Sequence, residues 1–173
     1  MLRKALCRLK LPELFIGFIE NIFTNRTNRV FTEVGLTNPF EMLVGIDQGE
    51  VISPLLWCIY YDPLLCEVEK LQSGYTIDHY YRKDIFSHRE AYISETVSDL
   101  AYMDDTTWIT EDKESLEKIL ELADDYYNLM SIKVNKSKSE LLVYVPDEPT
   151  IYDQPVILNF GSEQISIQPK KHN

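Results

Sequence analysis

In the stretch LAYMDDTTWIT, residues 100–110, two aspartates stand side by side. Asp104 and Asp105 separate the run Leu100, Ala101, Tyr102, Met103 from the run Thr106, Thr107, Trp108, Ile109. Adjacent carboxylates repel, so the pair costs free energy unless a cation sits between or beside them, and the usual cation is a divalent metal. Alone, an acidic pair at a turn is weak evidence, because Asp is a common turn residue. Two other stretches carry groups of chemical interest. In GIDQGEVISP, Gly49 permits a close backbone approach beside Gln48, and in IKVNKSKSELL the lysines Lys133, Lys136 and Lys138 cluster at a turn. By default such lysines are solvated charges. Cys7, Cys58 and Cys66 form an odd set without CxxC spacing, and His79, His88 and His172 lie far from them, which excludes a disulfide framework and a zinc site.

The elements that must position these groups follow from spacing. Leu2, Leu6 and Leu9, then Leu14, Phe15, Phe18, Ile19 and Ile22, predict two helices meeting at Pro12. Residues 29–34 and 40–44, around Gly35 and LTNP, predict a short hairpin. Ser53-Pro54 predicts a helix start with Ser53 as cap, and Asp62-Pro63 a kink or restart in that helix. Residues 74–94, polar and spotted with aromatics, read as an irregular surface hairpin or insertion. ETVSDLAY and TTWIT predict two strands with Met103, Asp104 and Asp105 at their turn. Asp112 predicts the cap of a helix whose stripe is Leu116, Ile119, Leu120, Ala123, Tyr127 and Met130. SIKV and SELLVYV predict strands around NKSK, and VILNF and EQISI a tight hairpin around Gly161-Ser162.

With 173 residues, 45% of them hydrophobic, the chain can bury a core and is not globally disordered. No apolar run approaches the roughly 20 residues of a membrane helix, and the opening MLRKALCRLKLPELF alternates basic and apolar residues unlike a secretory signal. The chain therefore reads as unexported and without a membrane partner, and the N-x-S/T matches at Asn25 and Asn135 as chance. The net charge of -11 argues against a large basic surface for gripping nucleic acid.

The order GIDQGEVISPLLWCIYYDPLL, then YMDD, then IKVNKSKSELL resembles the palm domain of reverse transcriptases, most closely those of non-LTR retrotransposons. The resemblance implies an α+β fold, a partial polymerase palm, with helices on one face of a ferredoxin-like βαββαβ sheet. It implies RNA-directed DNA synthesis by two-metal nucleotidyl transfer, with Mg²⁺ as cofactor and RNA template, DNA primer and dNTP as partners. Asp104 would be the direct metal ligand and Asp105 its acidic neighbour, while Tyr102 and Met103 would shape the floor under the primer end. Gln48 and Gly49 would meet the incoming nucleotide and template. Lys138, in competition with Lys133 and Lys136, would approach the leaving pyrophosphate as proton donor.

Three segments follow from the same resemblance: 1–52, helices and hairpin of the fingers/palm junction; 53–145, the palm core with YMDD; 146–173, a linker and terminal hairpin leading toward a primer grip and thumb. The first catalytic aspartate of the family belongs to a strand expected before Met1. Upstream of Gln48, Glu13 and Glu20 fall in helical patterns and Glu33 in the hairpin, so none reads as its match. The expectation is a palm fragment that lacks its first central strand and the thumb, binds Mg²⁺ weakly and is inactive by itself. The alternatives are a non-catalytic protein-interaction module, or one part of a split polymerase completed by another segment.

Overall fold

The computed structural model describes residues 2–42, 45, 49–82, 90–144 and 154–170. Contacts cluster into two compact units, Met1–Pro63 and Leu64–Asn173.

In the first unit, α1 (Leu2–Arg8) and α2 (Glu13–Phe23) flank Pro12, as the spacing predicts. Pro12 has φ -58°, and its carbonyl accepts the Phe15 and Ile16 amides at 2.9 and 3.1 Å, which starts α2. Leu6, Ile16, Ile19 and Leu56 form the core, with Leu2, Leu11, Phe23, Ile52 and Ile59 around it. Each fully buried aliphatic of this kind stabilises by about 1.5–3 kcal/mol. The exposed pairs of Arg3 with Glu13 and Glu20, and of Arg8 with Asp62, add little beside that.

The expected hairpin is present but turns elsewhere. β1 (Arg26–Asn28) pairs with β4 (Phe40–Met42), and β2 (Phe31–Thr32) pairs with β3 (Gly35–Leu36), so the chain reverses at Glu33 and Val34 and not at LTNP. Thr32 and Thr37 set this register. The Thr32 hydroxyl donates to the Gly35 carbonyl at 2.7 Å, and the Thr37 hydroxyl accepts the Val30 amide at 2.9 Å.

α3 (Ser53–Lys70) begins one residue earlier than Ser53 as cap would allow, because the Leu56 amide already bonds the Ile52 carbonyl at 3.0 Å. It also runs through Pro63 as one helix instead of restarting. A proline inside a helix costs about 3 kcal/mol. Leu64 and Val68, both essentially fully buried just beyond it, offset that cost.

In the second unit, β5 (Tyr75–Arg82) and β6 (Glu90–Val97) form a regular antiparallel hairpin running from Tyr75 opposite Val97 to Arg82 opposite Glu90. Within the stretch expected to be irregular, residues 75–82 and 90–94 thus lie in strands, as their Thr, Ile and Tyr residues favour, while residues 83–89 lie outside the described residues. β6 ends at Val97, and a separate hairpin follows, β7 (Asp99–Tyr102) with β8 (Asp105–Trp108). ETVSDLAY is therefore two strands, split at buried Ser98, whose carbonyl accepts the Ile109 amide at 2.9 Å.

α4 (Lys113–Met130) starts where Asp112 accepts the Ser115 amide at 2.8 Å, and that bond holds the Asp112 carboxyl below the usual carboxylate range. It ends with Ser131 in the left-handed region at φ 57°, while the Ser131 and Ile132 amides return to the Asn128 and Tyr127 carbonyls. Its buried stripe, Ile119, Leu120, Ala123 and Tyr127, packs against β9 (Val156–Phe160), where Leu158 and Phe160 are buried. β9 pairs with β10 (Glu163–Ile167) around Gly161-Ser162, as predicted. The Glu117 carboxylate accepts the Asn159 amide at 2.9 Å, which occupies part of the β9 edge and holds the Glu117 carboxyl below its usual range.

SIKV and SELLVYV are not strands among the described residues. A short 3-10 turn, Lys136–Lys138, lies between them, and only Leu142 makes an isolated parallel bridge, to Lys170. Val145 and most of the following link, residues 145–153, lie outside the described residues. The class is α+β, with helices and small antiparallel sheets. Among the described residues the strands make five separate two-stranded ribbons, which do not confirm the expected βαββαβ sheet lacking its first central strand. No helix among the described residues is long and apolar enough to cross a membrane.

Candidate functional site

The β7–β8 hairpin carries four of the predicted site residues. Tyr102 stands opposite Asp105, so Met103 and Asp104 make a two-residue turn. Such turns need a left-handed first residue. Met103 supplies it at φ 55°, although a side chain there costs of the order of 1 kcal/mol or more.

Alternation along the strands then sorts the side chains. Leu100, Tyr102, Asp105 and Thr107 share one face, and Asp99, Ala101, Thr106 and Trp108 the other. The first face is open: Tyr102 is 78% exposed, and Leu100, Asp105 and Thr107 are exposed with it. Asp104, also exposed, sits at the tip. Thus the two carboxylates stand at the end of an open face, one on the turn and one on a strand. That answers why the chain tolerates them side by side: solvent screens them.

Mg²⁺ is held through one or two carboxylates with water and phosphate oxygens, not by an all-protein cage. Two exposed neighbouring carboxylates fit that part of a donor set. They do not complete a two-metal clamp, and among the described residues no three His, Cys, Asp or Glu side chains gather closely enough to share an ion.

Asp99 is the acid of this hairpin that sequence reasoning missed. It lies four positions before the turn on the opposite face from Asp105, so it does not add to the pair. Burial, then the nearby Glu69 carboxylate, pushes its carboxyl above the usual range. A raised folded-state value means that the folded state holds the proton more tightly, so stability falls as pH rises from the unfolded value through the folded one. Asp99→Asn should therefore raise the melting temperature at pH 7, with the gain vanishing toward pH 3. Thermal melts across that range check it, and a gain that persists at pH 3 would count against the account.

Glu41 was also passed over. It lies on β4 opposite Thr27, so an acidic residue upstream of Gln48 does have a strand setting. A strict scan for Asp or Glu within predicted strands finds it.

Gly49 precedes α3 at φ 94°, a conformation that side chains rarely adopt, and has open space where a Cβ would stand. Gln48 lies outside the described residues. Lys138 is exposed on the 3-10 turn, its amide bonded to the Asn135 carbonyl at 3.0 Å, and the Ser137 hydroxyl closes on Asn135 Oδ1 at 2.7 Å. Neither Lys133 nor Lys138 makes an ion pair among the described residues, whereas Lys136 does.

The hairpin falls within the region that comparison with known proteins matches. A family model described as reverse transcriptase (RNA-dependent DNA polymerase) matches residues 4–168. The transposon TX1 uncharacterized 149 kDa protein of Xenopus laevis is 25% identical over 129 residues, which is 75% of this chain and 9% of that protein. The chain thus spans less than a tenth of that relative's length. With nearly its whole length matched, the chain belongs to the reverse transcriptase (RNA-dependent DNA polymerase) family.

Proposed function

We propose that this chain is the palm-bearing part of an RNA-directed DNA polymerase of non-LTR retrotransposon type, inactive until further carboxylates join it. The observation that carries this reading is the β7–β8 hairpin, which sets Asp104 and Asp105 at the end of an open strand face. The family generally uses divalent metals such as Mg²⁺ and works on a nucleic acid template and primer. In this chain Asp104 would hold the metal with Asp105 beside it, and bound Mg²⁺ would stabilise charge on the attacking and leaving oxygens of an in-line displacement. Tyr102 and Met103 shape the surface under the primer end, Gly49 and Gln48 meet the nucleotide and template, and Lys138 offers a proton to the departing pyrophosphate. The segments 1–52, 53–145 and 146–173 serve as fingers/palm junction, palm core, and lead to the primer grip.

The test is primer extension on an RNA template with Mg²⁺ and dNTPs. No extension is expected from the chain alone. Robust extension that Asp104→Ala abolishes would overturn the inactivity, and extension that ignores Asp104 would overturn the site.

A second reading, a protein-interaction part such as one half of a split polymerase, draws on exposed apolar side chains. Leu14 is 89% exposed on α2, and Phe31 and Val34 are 82% and 98% exposed on the first unit's hairpin. It expects a complementing segment to raise the melting temperature; a cooperative transition that no such segment shifts would oppose it. Nucleic acid binding without catalysis is disfavoured by the charge of -11.

A further inference from the structure

The stretch IKVNKSK holds three lysines as alternatives for one proposed role, and their surroundings differ sharply. Lys136 Nζ lies 2.7 Å from a Glu163 carboxylate oxygen, at the start of β10, and 3.7 Å from an Asp124 carboxylate oxygen on α4. The same ammonium sits 4.5 Å from the centroid of the Phe160 ring at the end of β9. Its side chain is three-quarters buried, and that of Asp124 more so.

Asp124 is itself fixed on two sides. The Asn128 side-chain Nδ2 donates to Asp124 Oδ2 at 3.0 Å, one helical turn along α4. On the other side Asp124 occupies the space at Gly161, where a Cβ would stand only 2.1 Å from Asp124 Oδ2, and Gly161 also has φ 60°. The glycine at the β9–β10 turn thus leaves room for the carboxylate that Lys136 meets. One side chain therefore ties together α4, both strands of the hairpin and the turn on which it stands.

We propose that Lys136 is a positioning residue: it latches the Lys136–Lys138 turn onto α4 and the β9–β10 hairpin, and so sets where Lys138 is presented. This rests on the polymerase reading for the role of Lys138, and it removes Lys136 from the competition for that role. Within the turn the Lys138 amide bonds the Asn135 carbonyl at 3.0 Å and the Ser139 amide the Lys136 carbonyl at 3.2 Å. A single 3-10 turn of three residues does not hold its shape without tertiary support. The latch is that support. Glu163 responds as a partner should, its carboxyl held below the usual range by the Lys136 hydrogen bond and charge.

Amide hydrogen exchange on the whole chain tests the latch. In Lys136→Met, which keeps the apolar stem and removes the charge, the Lys138 and Ser139 amides should exchange at least about tenfold faster while the amides of Ile119 and Leu120 in α4 keep their protection. Lys136→Arg, which can still bridge the two carboxylates, should restore slow exchange, a rescue that mere space-filling would not produce. Glu163→Gln provides the same test without touching the turn, with a smaller acceleration in the same direction. Unchanged exchange at residues 138 and 139 in both Lys136→Met and Glu163→Gln would overturn the proposal, as would failure of Lys136→Arg to rescue. The measurement needs no catalysis, so its failure leaves the polymerase reading standing, and failure of the primer-extension test leaves the latch standing.

Discussion

Alanine at Asp104 is expected to remove at least about a hundredfold of Mg²⁺-dependent primer extension from any polymerase assembled with this chain, because a metal-held charge contributes several kcal/mol at the transition state and each 1.36 kcal/mol is tenfold. Asp104 stands at the turn tip, exposed, with only Asp105 as an acidic neighbour in sequence. Nothing in the described residues offers a third carboxylate to take its place. The isolated chain gives a second readout of the same position. Mn²⁺ added in place of Mg²⁺ should broaden the amide resonances of Met103, Asp104, Asp105 and Thr106 before all others, and Asp104→Asn should abolish that selectivity. Broadening centred elsewhere, or extension that survives Asp104→Ala, would refute the assignment of the metal to this hairpin.

The largest expected effect on stability is at Gly74, just before β5. A Cβ there would stand 2.4 Å from the Val97 carbonyl oxygen, 2.5 Å from its carbon and 2.6 Å from Ser98 Oγ. Two of these are backbone atoms at the base of the β5–β6 hairpin, beside the rung between Tyr75 and Val97, and cannot swing aside as a flexible side chain can. Overpacking of this kind costs about 1–3 kcal/mol, and the backbone clash places Gly74→Ala in the upper part of that range. For a chain of this size the melting temperature should drop by roughly 4–12 °C. Calorimetry decides it: a transition within 1 °C or so of the parent chain would mean that the two segments separate at no cost.

What was legible in the sequence was mostly local. Pro12 between two helical stripes, Asp112 as a cap and Gly161-Ser162 between alternating runs each act through residues a few positions away, and each is found where its chemistry places it. The turn of the acidic pair was legible for the same reason, since Tyr102 and Asp105 need only each other. Partner choice was not. SIKV and SELLVYV have strand-like composition, yet composition names no strand partner, and among the described residues the β-bridge formed there is Leu142 with Lys170. The β5–β6 hairpin hid for a different reason. Tyr75 and Ile77 stand on one face, Tyr80 and Tyr92 on the other with rings 5.1 Å apart, so aromatics on both faces blurred the alternation. At Pro63 local chemistry was overruled by burial farther along the helix. Of the candidate site, the acidic pair was evident from its repulsion, whereas Asp99 and Glu41 were missed because each is a single acid in an unremarkable strand.

The separate two-stranded ribbons bear on how fast this chain folds. Each ribbon joins segments that are neighbours along the chain, the widest rung being Tyr75 to Val97, so closing any of them costs little loop entropy. Chains dominated by such near-neighbour pairings fold in microseconds to milliseconds, whereas sheets that join distant strands take longer. The ribbons can therefore form early and independently, each on the microsecond scale of a hairpin. Such a chain is suited to being shaped piece by piece as it is synthesised, with the turn of the acidic pair closed before much of the polypeptide that follows it exists.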